Sequence, residues 1–207
     1  VSESLSTWLK DILPHTPGVV RTVARRELIQ AAKEFFRESY AWRATLDAVD
    51  VTQGVTAYTA TSPITNVDIH QILDIEFNGL PLRGIVDRPR GVRPTGTPTQ
   101  WYSTGTDTFE LWPEPVQTDA ATMIVRVALV PSDDLDELPD AMYRRYKDAV
   151  EDGTLGRLFS HPAKPYSNPT MATYHLTRFR EAIGYAAAQG KQGNINGQNW
   201  TFPCFGK

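Results

Sequence analysis

Residues 138–188 constrain the fold of this chain more tightly than any other stretch. Leu138-Pro139-Asp140 is a helix start, because proline suits a first helical turn, where its missing N–H is not needed. Apolar or small residues then recur every three or four positions, at Met142, Tyr146, Ala149, Val150, Gly153, Gly156 and Phe159. That spacing is one face of a helix. Pro162 and Pro165 end it, since neither can donate to a helical ladder. Asn168 is placed as the N-cap of a second helix, with Pro169 at its first position. The face of that helix is Ala172, His175 or Leu176, Phe179, Ala182, Ile183 and Ala186.

Gly153 and Gly156 each cost roughly 1 kcal/mol relative to alanine inside a helix. Being three apart they share a face. They read as a smooth strip that lets a neighbouring helix approach closely, with Phe179 as a packing residue of that neighbour; a flexible hinge is the alternative.

Further towards the start, Leu5, Trp8, Leu9, Ile12 and Leu13 repeat at helical spacing, with Ser4 or Ser6 as cap. Residues 14–18 (PHTPG) break this helix, and a longer one runs from about Val20 to Ala41 with Ala24, Leu28, Ala31, Ala32 and Phe35 on its face. The character changes after Ala44. Residues 45–131 are rich in Thr, Val, Ile, Tyr and Pro, which suits strands and turns. Segments 45–51 and 55–61 flank Thr52-Gln53-Gly54 and read as a hairpin. Segment 70–77 alternates and runs into Asn78-Gly79, the strongest short turn signal in the chain. Residues 84–96 read as a loop, segments 100–103 and 108–112 as a pair of strands, and 122–130 as a long strand. The fold class is therefore α+β: a bundle of about four helices (1–44 and 132–189), an inserted antiparallel β-sandwich or small β-barrel (45–131), and an extended C-terminal arm (190–207).

A pattern of packing and turn residues runs through most of this length. It comprises Leu138-Pro139, Tyr146, Ala149-Val150-x-x-Gly153-x-Leu155-Gly156-x-Leu158, Pro162-x-x-Pro165-Tyr166-Ser167-Asn168-Pro169, Tyr174 and Phe179. Earlier in the chain, Tyr40 and Trp42, Gly54-x-x-x-Tyr58, Asn78-Gly79-x-x-Leu82, Trp101-Tyr102, Leu111-Trp112-Pro113-x-Pro115 and Leu129-Val130-Pro131 fall in order. The chain thereby resembles the head-to-tail adaptor proteins (head-completion, connector or tail tubular proteins) of tailed bacteriophages. The resemblance implies a structural virion protein of the head–tail interface or neck, made in the host cytoplasm. It implies a ring of twelve copies docked on the portal protein, a tail or nozzle protein bound below, and genomic DNA passing through a central channel without sequence-specific recognition. A β-rich tail-tip or carbohydrate-binding virion module is the alternative, supported if Trp101, Tyr102 and Trp112 are exposed along a groove.

Charge and chemistry fit a binding protein. The net charge of −3 argues against a general nucleic-acid binder. Residues 45–137 hold five Lys/Arg and fourteen Asp/Glu, so the middle is acidic, while 1–44 and 138–189 each hold seven Lys/Arg and five Asp/Glu. Arg83, Arg88, Arg90 and Arg93 form the only basic cluster, interrupted by Pro89, and suit a subunit interface, a solvated loop or DNA. His15, His70, His161 and His175 are scattered without zinc-ligand spacing, and His175 reads as a packed or interface histidine. No Gly-x-Ser-x-Gly elbow or Walker loop is present. The expectation is no enzyme, no catalytic residue, no metal and no cofactor. The acidic run 133–137 lacks the glycine and distal glutamate of a calcium loop and reads as a solvated linker. No apolar run approaches the ~18 residues of a membrane span, and the opening VSESLSTW has no signal-peptide character.

Residues 190–207 carry four glycines and Trp200, Phe202 and Phe205. So many large aromatics suit an arm that orders on a partner, with Asn199, Trp200, Thr201, Phe202 and Phe205 as portal-binding residues; packing back on its own domain is the alternative. Cys204, the only cysteine, reads as an interface thiol. Asn199-Trp200-Thr201 also fits a glycosylation sequon, with nothing to indicate secretion.

Overall fold

Ser4 begins the first helix: its hydroxyl accepts from the Ser6 N–H at 3.2 Å, and Leu5, Trp8, Leu9 and Ile12 of α1 (Leu5–Ile12) are buried. The computed structural model describes residues 2–89 and 91–191. After a single 3₁₀ turn at Leu13–His15, α2 (Arg21–Ser39) runs through the centre of the molecule, with Ala24, Leu28, Ala31, Ala32, Phe35 and Phe36 almost fully buried. It stops at Tyr40, whose φ of 52° is left-handed and turns the chain out of the helix. The hairpin helices are α3 (Asp140–Phe159) and α4 (Pro169–Lys191). The Asn168 side chain accepts from the Met171 N–H at 3.2 Å, which satisfies one of the donors left open at the start of α4. Gly190, assigned to the arm from sequence, is still helical, and the five named arm residues lie outside the described residues.

Among the described residues thirteen strands accompany the helices: β1 (Ser2–Ser4), β2 (Arg43–Thr45), β3 (Val49–Val51), β4 (Ala57–Thr59), β5 (Val67–Phe77), β6 (Leu80–Pro81), β7 (Arg83–Gly84), β8 (Thr95–Gly96), β9 (Gln100–Ser103), β10 (Thr108–Trp112), β11 (Glu114–Pro115), β12 (Asp119–Pro131) and β13 (Glu137–Pro139). The main sheet has the order β2-β12-β5-β6, with β3 also on β12, and is antiparallel. A second sheet has the order β4-β10-β9-β7. Asn78 and Gly79 have φ of 51° and 75°, the pair of positive values that a tight two-residue turn between β5 and β6 requires.

Two expectations are corrected. No sheet among the described residues closes into a barrel, and two pairings, β7 with β9 and β8 with β11, run parallel. Residues 52–54 do turn, with Gly54 at φ 74°, but the segments they join do not pair: β3 joins β12 and β4 joins β10, so the chain crosses between sheets there. The Tyr58 hydroxyl holds this turn, accepting from the Thr52 N–H and donating to the Val55 carbonyl, each at 3.1 Å. The acidic residues of the run 133–137 are exposed, as expected of a solvated linker, and they also have partners. Asp133 receives hydrogen bonds from Lys33 and Gln30, Arg25 bonds Asp136 at 2.7 Å, and Glu137 belongs to a strand that pairs with β1.

One contiguous buried apolar cluster reaches from α1 to both sheets. Trp42, 3% exposed, sits at the junction: its ring lies 5.3 Å from Phe36, and its carbonyl accepts from the Leu129 N–H in β12.

Where α1 meets α3, Lys147 contacts Asp11 at 2.7 Å and Glu151 at 3.6 Å. The hydrogen bond to Asp11 raises the Lys147 pKa, while burial pushes the Glu151 carboxyl up to about 7. Glu151 thus binds a proton more tightly folded than unfolded between about pH 4.5 and 7. Stability falls as pH rises through that window, because the folded state must give up a proton that the unfolded chain has already lost. Glu151→Gln is expected to flatten this slope and raise the melting temperature at pH 8, read by thermal melts at pH 5 and pH 8.

Candidate interaction surfaces

The glycine strip lies against α4. A Cβ on Gly153 would stand 2.7 Å from the Phe179 ring, and one on Gly156 would stand 2.7 Å from Leu176 Cγ and 3.2 Å from the Leu176 backbone nitrogen. Phe179 is 1% exposed and also approaches Phe35 of α2. These three residues are packing residues inside one chain.

The four arginines separate. Arg93 is drawn inward: it donates to the Tyr102 hydroxyl at 2.8 Å, pairs with Glu110, and lies 5.3 Å from the Trp112 ring centroid. Tyr102 also donates to Glu110. Hydrogen bonds from Tyr102 and Arg93 hold the Glu110 carboxyl below its usual range, and burial raises the Tyr102 phenol. This clamp ties the base of the loop between β7 and β8 to the sheet. Beyond it the loop presents Val86 and Val92, 94% and 96% exposed, with Arg88. Arg83 lies in the exposed edge strand β7, and Arg90 lies outside the described residues.

Trp101, Tyr102 and Trp112 are each under 10% exposed. They are wall, not groove, so the feature on which a carbohydrate-binding module rested is absent.

Spacing alone did not reveal the polar cluster at the far end of the hairpin. Asp152 in α3 is buried, bonded by His175 Nδ1 at 2.7 Å and by Arg178 Nε at 3.3 Å. Nearby, Arg157 pairs with Glu34 and lies 3.9 Å from Glu27, tying α3 to α2. His161 is 3.5 Å from Glu27 and His175 packs on Phe159, so each histidine has a structural neighbour. Among the described residues no three His, Cys, Asp or Glu side chains stand where they could share a metal ion. No described helix is long and apolar enough to cross a membrane. The outer side of α4 carries Met171, Tyr174 and Tyr185, 38%, 52% and 69% exposed, with Arg178 over the Tyr174 ring.

The family model of the SU10 adaptor protein matches residues 2–199. The chain belongs to the SU10 adaptor protein family. The match spans both the helices and the sheets and is consistent with the resemblance to phage head-to-tail adaptors. As a family member the chain is a structural adaptor of a phage virion, which is not a class of enzyme. No curated protein matches it.

Proposed function

We propose that this SU10-family adaptor docks as a ring on the portal vertex and links the DNA-filled capsid to the tail, with DNA passing through the ring. The observation that carries the reading is the family match over residues 2–199. In this reading 1–44 with 132–189 form the helical unit of each subunit, 45–131 form a sandwich-like unit directed at the tail, and 190–207 bring Asn199, Trp200, Thr201, Phe202 and Phe205 to the portal. Twelve copies close the ring by cyclic symmetry, which joins two different patches of each subunit.

The surfaces support such contacts. Exposed Tyr174, Tyr185 and Met171 offer one helical side for side-by-side packing, since aromatics contribute much of the energy at protein interfaces. The loop with Val86, Arg88 and Val92 offers another, and its arginine suits the acidic surface of a neighbouring 45–137 region. The test is co-assembly of purified protein with portal, read by electron microscopy: a coaxial ring supports the proposal, and particles that remain separate contradict it.

A further inference from the structure

The seam between α1 and α3 holds unmet polar groups. Trp8 of α1 meets the Tyr143 ring of α3 edge-on, with centroids 5.0 Å apart. The Trp8 indole nitrogen and Glu151 Oε1 are both closed to water, and neither has a hydrogen-bond partner among the described residues. A buried polar atom left without a partner costs stability, and a charged one costs more. The charges that face Glu151 are Asp11 across the seam and, on its own helix, Lys147 and Asp148. Lys147 is the cation of this group, and Asp11 holds it. Those two stand 2.7 Å apart, whereas Lys147 to Glu151 is 3.6 Å, beyond hydrogen-bond length. The Lys147 nitrogen also lies 5.6 Å from the centroid of the Tyr143 ring. A neutral Glu151 fits this seam. An ionised one sets a second carboxylate beside Asp11, with one oxygen sealed from water.

We propose that this seam is a proton-controlled latch: neutral Glu151 holds α1 closed on α3, and its ionisation lets residues 2–16 open away as a unit. The connection to α2 permits this. Its hydrogen bonds are local: Thr16 donates to the Ile12 and Leu13 carbonyls, and the Val19 N–H donates to the Thr16 carbonyl. The unit can therefore leave without breaking the α2 ladder, as a sub-global opening. Besides the seam, it is held by the pairing of β1 with β13 and by the Leu5 N–H on the Asp136 carbonyl at 2.9 Å. Opening uncovers Leu5, Trp8, Leu9 and Ile12, which are almost fully buried when closed. It also admits water to Glu151. Burial pushes that carboxyl up to about 7 in the closed state, so the latch loosens as pH rises towards neutral and gains nothing further above it. The inference concerns the free chain and does not depend on the portal proposal.

Amide exchange of the full chain at pH 5 and pH 8, corrected for the intrinsic rate at each pH, tests the latch. The amides of Leu9 and Ile12 in α1 are compared with those of Phe35 and Phe36 in α2. The opening constant of α1 is expected to rise roughly fiftyfold between the two pH values, as a carboxyl held at about 7 when closed and near 4.5 when open requires. At pH 8, α1 is expected to exchange at least about tenfold faster than α2. Glu151→Gln is neutral at both pH values, and its rise is expected to stay below about threefold. Equal exchange in α1 and α2 at pH 8 overturns the inference, because α1 then leaves only when the whole chain unfolds. A rise below about threefold in the wild type overturns it, and so does an undiminished rise in Glu151→Gln. The wild-type comparison decides by itself if the variant does not fold.

Discussion

Gly153→Leu is expected to destabilise the protein by about 3 kcal/mol or more, the largest effect of any single change in the helical hairpin. The reason is contact. A Cβ alone would stand 2.7–3.0 Å from three atoms of the Phe179 ring, and that ring is enclosed, so relief requires α3 and α4 to move apart. Gly153→Ala carries the same Cβ but gains about 1 kcal/mol of helix propensity, so its net cost is expected near 1 kcal/mol. Gly156→Leu meets Leu176, a half-buried side chain that yields, but also its backbone nitrogen at 3.2 Å, which yields only if the helix moves. Gly184 is the control. It lies in α4 with nothing within 4 Å of an added Cβ, so Gly184→Ala is expected to stabilise by about 0.5–1 kcal/mol. Denaturant melts of the four variants separate close packing from a hinge: a hinge at 153–156 predicts that both leucines leave the midpoint unchanged.

Arg93→Ala is expected to cost about 2–4 kcal/mol. It strands Glu110 and Tyr102, which the arginine joins in a partly enclosed site, and removes the cation resting on Trp112. The arginine side chain is 14% and the glutamate 23% exposed, so water compensates only part of the loss. Arg93→Lys keeps the charge but not the planar fork that spans Tyr102 and Glu110, and about half of the loss should remain. The Glu110 carboxyl sits below its usual pKa, so this contribution is present above the unfolded carboxylate range and is lost as pH falls through the folded value. The difference between wild type and Arg93→Ala in chemical denaturation should therefore shrink on acidification. A constant difference from pH 7 to pH 3 would show that the carboxylate is not what the arginine holds.

Local physics was legible in the residues. Helix starts at Ser4 and Asn168 follow from capping chemistry, and the Asn78-Gly79 turn from a dipeptide that tolerates two positive φ values. The glycine strip followed from a three-residue spacing that the helix converts into one face. Partner choice was not legible. Residues 52–54 turn like a hairpin in any local reading, yet β3 and β4 part to different sheets, each pairing with a strand far away in sequence, β12 and β10. The pairing of β1 with β13 joins residues about 135 apart, and no periodicity in a three-residue strand announces it. Arg93 looked like its neighbours Arg88 and Arg90; only the placement of Tyr102 and Glu110 on adjacent strands distinguishes it. Trp101 and Trp112 offered no sign of burial either, since an aromatic in a strand faces core or solvent according to register.

The most direct measurement is electron microscopy of full-length protein mixed with purified portal, alongside a chain ended at Gln189. The full chain is expected to form a ring coaxial with the portal, helices towards the portal and sheets away from it, and the shortened chain is expected to leave the portal bare. Bare portals with the full chain, or rings formed equally well without residues 190–207, would contradict the account.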